Sequence, residues 1–93
     1  MKTLLREDKT QKPDFTYIGI MYAAFAREMY RFDEGATKYE RLNWRYAKDV
    51  QTYKQSLIRH MAQYINGQTD EDHLAAIACN THILMDLEEL GIK

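Results

Sequence analysis

The chain has 93 residues, 45% of them hydrophobic and 29% charged, which suits one globular domain and is too short for two. Its 13 Lys and Arg nearly balance its 14 Asp and Glu, giving a net charge of −1 that disfavours a nucleic-acid polymer or an anionic membrane as partner. The single cysteine excludes an intramolecular disulfide. The sequence shows neither a signal peptide nor an apolar run near ~20 residues, which predicts a cytoplasmic protein rather than a secreted or membrane-spanning one.

The chain begins with a charged segment and continues into a first helix. Residues 1–14 hold the only proline and show no sustained apolar period, which predicts an N-terminal arm that is flexible or contacts a partner. From Tyr17 to Phe32 apolar side chains recur at three- and four-residue steps, and Gly35 is predicted to end that helix. Residues 15–93 are therefore expected to form a single helical domain.

Two further helices are predicted to form a hairpin. The second helix runs from Val50 to a stop at Gly67, and the third is preceded by Thr69 and Asp72 at capping-box spacing and ends before Gly91. We expect an all-α fold, a small three-helix bundle of this hairpin and the first helix, completed by oligomerisation because so short a chain has a thin core. The side chains of the third helix predicted to face the core are Leu74, Ile77, Ala78, Leu84 and Met85.

The segment between the first two helices combines cations with aromatic rings and has no apolar stripe. Cations suit phosphate, ring faces suit a base and an amide suits the edge of a base. Alternatively, the rings cover the open end of the bundle while the cations extend into water. The candidate ligand residues here are Lys38, Tyr39, Arg41, Asn43, Trp44 and Arg45, with Arg59 on the second helix as a further phosphate contact.

Two histidines flank the turn of the hairpin. His60 lies seven residues before Gly67 and His73 six after it, so a closed hairpin brings them to similar heights, whereas His82 follows His73 by nine residues and faces the opposite side. Together with Asp70 or Asp72 the pair could hold a metal, or it could be a hydrogen-bonded structural pair. The acids alternatively cap the third helix and interact with its dipole.

The third helix also carries an amide among apolar residues. Asn80 shares a stripe with His73, Ile77, Leu84 and Leu87, so it either bridges two helices or reads a base. Metal-assisted hydrolysis usually needs several carboxylates on facing helices. The second helix offers none, since no Asp or Glu occurs between Val50 and Gly67.

A series of short motifs extends in order over about residues 15–90: Gly35-Ala36-Thr37-Lys38-Tyr39, Asn43-Trp44-Arg45, Arg59-His60-Met61, Gly67, Asp70 to Asp72, and His73 to Asn80. They resemble the phage-borne dATP/dGTP diphosphohydrolase N-terminal domain, which is related to the MazG-like all-α nucleotide pyrophosphohydrolases. The resemblance implies a helical oligomer that binds nucleotides, commonly with Mg²⁺ or Mn²⁺, in phage nucleotide metabolism.

The chain departs from the family pattern where such proteins tend to have Gly-Glu, because it has Gly67-Gln68 and a shorter segment before His73. One metal ligand is then missing, and the retained groups bind phosphate better than they activate water. The leading prediction is a small phage-type protein that sequesters a nucleotide without turnover, such as a cyclic nucleotide or an ADP-ribose-derived immune signal, and so acts as an anti-defence sponge. The ligand residues carried over are Lys38, Tyr39, Asn43, Trp44, Arg45, Arg59, His60, His73 and Asn80.

Two alternatives belong to other functional classes. The first is a metal-dependent dATP/dGTP diphosphohydrolase with Mg²⁺ or Mn²⁺, in which Asp70, Asp72 and His60 are catalytic and Asp70, Asp72 and His73 hold the metal. The second is a helical module whose exposed aromatic side chains meet a host protein. The sequence favours binding over catalysis and leaves the question of an enzyme open.

Overall fold

The computed structural model describes residues 12–93, which fold into helices without a strand among them. The helices are α1 (Thr16–Ile20), α2 (Tyr22–Lys38), α3 (Gln51–Ile65) and α4 (His73–Glu89), and a 3₁₀ turn covers Asn43–Tyr46. The all-α prediction is confirmed. Most of the predicted arm lies outside the described residues, and its last residues, 12–14, have no regular secondary structure.

The first predicted helix differs from the structure at both ends. It is divided at Met21, whose ψ of 34° leaves the helical region, into α1 and α2. The predicted stop at Gly35 is wrong, since α2 continues to Lys38 and then turns into the extended backbone of Tyr39. A glycine ends a helix when it adopts positive φ, and Gly35 does not.

The hairpin of α3 and α4 is confirmed, and α2 packs across α4. Gly67 has φ of +77°, and the amides of Gly67 and Gln68 donate back to the carbonyls of Tyr64 and Gln63. This pair of bonds satisfies the last carbonyls of α3 and reverses the chain. The same arrangement closes α4 at Gly91, where φ is +78°.

The start of α4 is capped differently from the prediction. Asp72 is the capping residue, and its carboxylate accepts the amide of Ala75 at 3.1 Å. Thr69, predicted to be the cap, precedes the helix by too many residues to reach those amides. An aspartate directly before the first helical residue satisfies a free N–H and places negative charge at the positive end of the helix.

The core is thin, and small residues dominate it. Leu87 is the one large side chain that is completely buried in the described part of the chain. Ala75, Ala76 and Cys79 are buried nearer the start of α4, where their small side chains let the helices approach one another closely. Burial raises the pKa of the Cys79 thiol to about 12, so it stays protonated and unreactive.

Not every side chain predicted to face the core of α4 does so. Leu74 and Met85 are exposed, because the buried face is rotated toward Ala75, Ala76 and Cys79. A further apolar stripe on α3 faces solvent in the single chain and is formed by Ile58, Met61 and Ile65. Such a stripe is consistent with self-association, which stays a prediction.

Candidate functional site

A cavity of about 460 Å³ opens between α2, the 3₁₀ turn, α3 and α4. Small-molecule sites are typically clefts of roughly 300–1,000 Å³ between packed elements. The candidate ligand residues that line this cavity are Tyr39, Arg41, Asn43, Trp44, His60 and Asn80. Thus side chains from the loop, α3 and α4 that are far apart in the sequence share one cleft.

The loop that carries Asn43 and Trp44 is preceded by a residue in a strained backbone conformation. Leu42 has φ of +63°, in the left-handed region that costs a non-glycine residue about 1–2 kcal/mol. The turn is held by two backbone bonds, from Asn43 to the carbonyl of Glu40 and from Arg45 to that of Leu42. This geometry directs the side chains of Asn43 and Trp44 into the wall of the cavity.

Aromatic rings form one side of the cavity. The rings of Phe32 and Trp44 lie 5.4 Å apart between centroids and are tilted by 50°. Tyr53 and Tyr39 also line the cavity, and Tyr39 is well exposed. Burial raises the pKa of Tyr53 above its ordinary value of 10.0. These surfaces suit the face of a nucleobase.

A carboxylate on α4 anchors the 3₁₀ turn. Asp86 accepts the Trp44 indole N–H at 2.7 Å and two bonds from the Arg45 guanidinium, at 2.8 and 2.9 Å. The Arg45 and Trp44 donors hold the pKa of Asp86 below its ordinary value of 3.8. Arg45 does not line the cavity, and its charge is directed to Asp86.

The positive charge of the cavity comes from Arg31 and Arg41. Arg31, on α2, also contacts the carboxylate of Glu71 at 2.7 Å. Lys38 and Arg59, both in the candidate set, are exposed and lie outside the lining, and Arg59 bonds to Ser56 on its own helix. Arg31 escaped the sequence analysis because it lies within an amphipathic helix, where a cation ordinarily faces solvent.

Asn80 bridges two helices, which was one of the two roles considered for it. Its amide nitrogen donates to the hydroxyl of Ser56 at 3.1 Å, which joins α4 to α3. Both side chains also line the cavity. A bridging amide held in this way is oriented in advance, which favours recognition of a polar ligand edge.

The two histidines of the hairpin meet. Their Nδ1 atoms lie 2.9 Å apart, and His73 Nε2 lies 2.8 Å from the carboxylate of Asp70. His60 lines the cavity, whereas His73 does not. Burial lowers the pKa of His60, and the bond from His73 lowers that of Asp70, so His60 is neutral and Asp70 ionised at neutral pH. His82 bonds to Glu28 instead, on another side of α4.

The acids of the candidate catalytic set do not line the cavity. Asp72 receives two bonds from Arg27, at 2.7 and 2.8 Å, and caps α4. Arg27 and the cap together lower the pKa of Asp72. The carboxylates on the cavity wall are Asp33 and Glu40, which the sequence analysis did not single out because neither has a ligand-type spacing to another acid.

The arrangement can be compared with what Mg²⁺ or Mn²⁺ requires, namely oxygen ligands from several converging carboxylates. Over residues 12–93, the group of three metal-ligand side chains that converges is His60, Glu71 and His73, with ligand atoms within 4.8 Å of one another. Two imidazoles and one carboxylate do not fit Mg²⁺. The described residues of one chain therefore provide no magnesium cage.

Comparison with known proteins places these features in a family. A family model described as "dATP/dGTP diphosphohydrolase, N-terminal" matches residues 3–93, which is nearly the whole chain. No curated protein and no solved structure matches the chain. The resemblance found in the motifs is confirmed.

Proposed function

Because the chain belongs to the dATP/dGTP diphosphohydrolase N-terminal family, we propose that it binds a nucleotide in the cavity and retains it without turnover. The observation that carries this proposal is the composition of the cavity wall. Rings, amides and two guanidinium groups line one cleft of about 460 Å³, a combination that suits a base, its polar edge and a phosphate.

Retention rather than hydrolysis is supported by how the acids are used. Of the carboxylates near the helix interfaces, Asp72 and Asp86 are each paired with an arginine. A paired carboxylate satisfies its partner and is less available to hold a divalent metal against a phosphate. Arg41, which lines the cavity and forms no ion pair with another residue of 12–93, can bind phosphate directly.

The second candidate is hydrolysis of dATP or dGTP, which the family description names. The observation in its favour is that Asp33 and Glu40 line the cavity together with Arg31 and Arg41. A metal bridging one of these acids and a phosphate would need further oxygen ligands. A second protomer would have to supply them.

One experiment separates the candidates. The full chain is incubated with a panel of dATP, dGTP, a cyclic dinucleotide and an ADP-ribose derivative, with and without Mn²⁺, and the ligands are recovered after denaturation and separated by chromatography. Bound and intact ligand supports retention, and a cleaved ligand supports the hydrolase. If calorimetry detects binding of none of them, nucleotide binding is refuted and the helical interaction module is favoured.

A further inference from the structure

Two buried histidines face each other across the hairpin. His60 on α3 is 4% exposed and His73 at the start of α4 is 2% exposed, and their Nδ1 atoms are 2.9 Å apart. Each comes from a different helix, so the pair is fixed by the packing of the hairpin. Two ring nitrogens directed at one point from rigid elements are the beginning of a chelate.

The bond to Asp70 determines which nitrogen of His73 is free. An ionised carboxylate can only accept, so the 2.8 Å contact requires the proton of a neutral His73 to lie on Nε2. The Nδ1 lone pair of His73 then points toward His60. A carboxylate that holds the distal N–H of a histidine is the usual outer partner of a metal-binding imidazole, because it fixes the ring and increases its basicity.

We propose that His60, His73 and Glu71 form a site for a divalent transition metal of the Zn²⁺ class, with Asp70 as the positioning residue for His73. One ligand atom of each of the three lies within 4.8 Å of the others. Glu71 is exposed at the edge of the pair, so a water can complete a tetrahedral site with two imidazoles and one carboxylate.

The geometry needs a small adjustment to accept the ion. Zn–N bonds of about 2.0–2.1 Å at a tetrahedral angle separate the two nitrogens by roughly 3.4 Å, so the rings move apart by about 0.5 Å. The proton that His60 shares with His73 in the absence of metal moves to His60 Nε2, so no proton is lost. The Glu71 carboxylate, which contacts the Arg31 guanidinium at 2.7 Å, leaves that guanidinium and binds the ion.

The donor set selects the kind of metal. Imidazole nitrogen favours Zn²⁺, Co²⁺, Ni²⁺ and Cu²⁺, whereas Mg²⁺ prefers six oxygen ligands. The site therefore differs in chemistry from a magnesium centre for phosphate hydrolysis. The site adjoins the cavity at His60, whereas His73 and Glu71 lie outside the cavity lining.

The test uses the full chain after treatment with a chelator. Calorimetric titration with Zn²⁺ is expected to show one site per chain, and Co²⁺ is expected to give the intense visible absorption of tetrahedral coordination. Asp70→Asn is expected to weaken Zn²⁺ binding about 10–100-fold, and Glu71→Gln at least about tenfold. Glu34→Gln is the matched control, because Glu34 is the other carboxylate near Arg31, at 3.9 Å, and is not part of the cluster.

The proposal is overturned if the unaltered chain binds no Zn²⁺ and gives no tetrahedral Co²⁺ spectrum. Binding that is equal in Glu71→Gln and Glu34→Gln also overturns it, since the ion then lies elsewhere. Both glutamates and Asp70 are exposed, so these variants keep the fold where a substitution at buried His60 would endanger it.

Discussion

Arg41→Gln is expected to weaken nucleotide binding while leaving the fold intact. Arg41 lines the cavity, is exposed, and forms no ion pair with another residue of 12–93, so its charge is available to a phosphate. A hydrogen bond to a charged group contributes roughly 1.5–3 kcal/mol, and solvent exposure places this one near about 1.5 kcal/mol. Each 1.4 kcal/mol is about tenfold, so Kd is expected to rise about tenfold.

The measurement is calorimetric titration with dATP or dGTP at constant salt, together with thermal unfolding to verify the fold. Arg45→Gln is the matched control: it removes the same group four residues later, but its guanidinium is bonded to Asp86 outside the cavity lining. We expect Arg45→Gln to reduce thermal stability and to change Kd much less. Equal Kd for Arg41→Gln and the unaltered chain, or a larger loss in Arg45→Gln, would refute this assignment of the phosphate contact.

Three other predictions concern stability and assembly. Leu87→Ala is expected to lower the free energy of unfolding by about 2–5 kcal/mol in urea denaturation, because Leu87 is fully buried; a loss below about 1 kcal/mol would contradict its central place in the core. Arg45 and Trp44 hold the pKa of Asp86 in the folded chain below its ordinary value of 3.8. The ionised carboxylate therefore stabilises the fold at pH values above 3.8, and this stabilisation is lost as the pH falls through the pKa of the folded chain. Acid unfolding should therefore start at higher pH in Asp86→Asn, and an unchanged acid transition would count against the anchor. Ile65→Glu, at a side chain that is 76% exposed on the α3 stripe, is expected to shift light scattering toward monomer, and a monomeric unaltered chain would refute the stripe as an interface.

The helices of the hairpin were predictable because local features determine them. The apolar period and the glycines that adopt positive φ, Gly67 and Gly91, act over a few residues and are visible in the sequence. The stop predicted at Gly35 is wrong because Gly35 does not adopt positive φ and a helical glycine costs only about 1 kcal/mol, while α2 also packs against α4. The cap at Asp72 in place of Thr69 depended on which residue directly precedes the first helical turn.

The candidate site was predictable in part. Counting residues from the turn brought His60 and His73 to the same height, and the structure joins their rings. The loop aromatics also reach the cavity. The sequence could not show that Glu71 rather than Asp70 or Asp72 approaches both rings, because the three acids follow one another and their directions depend on the turn before α4.

By itself, the sequence determined the helical class, the hairpin and the family, because these depend on periodicity, on helix-ending glycines and on ordered motifs. Only the tertiary structure decided which charges remain available to a ligand. The pairing of Arg45 with Asp86 joins residues 41 positions apart, and that of Arg27 with Asp72 joins residues 45 apart. Such pairs form only after the helices pack, and the pair with Asp86 removes Arg45, a cation that the sequence alone had offered to a phosphate.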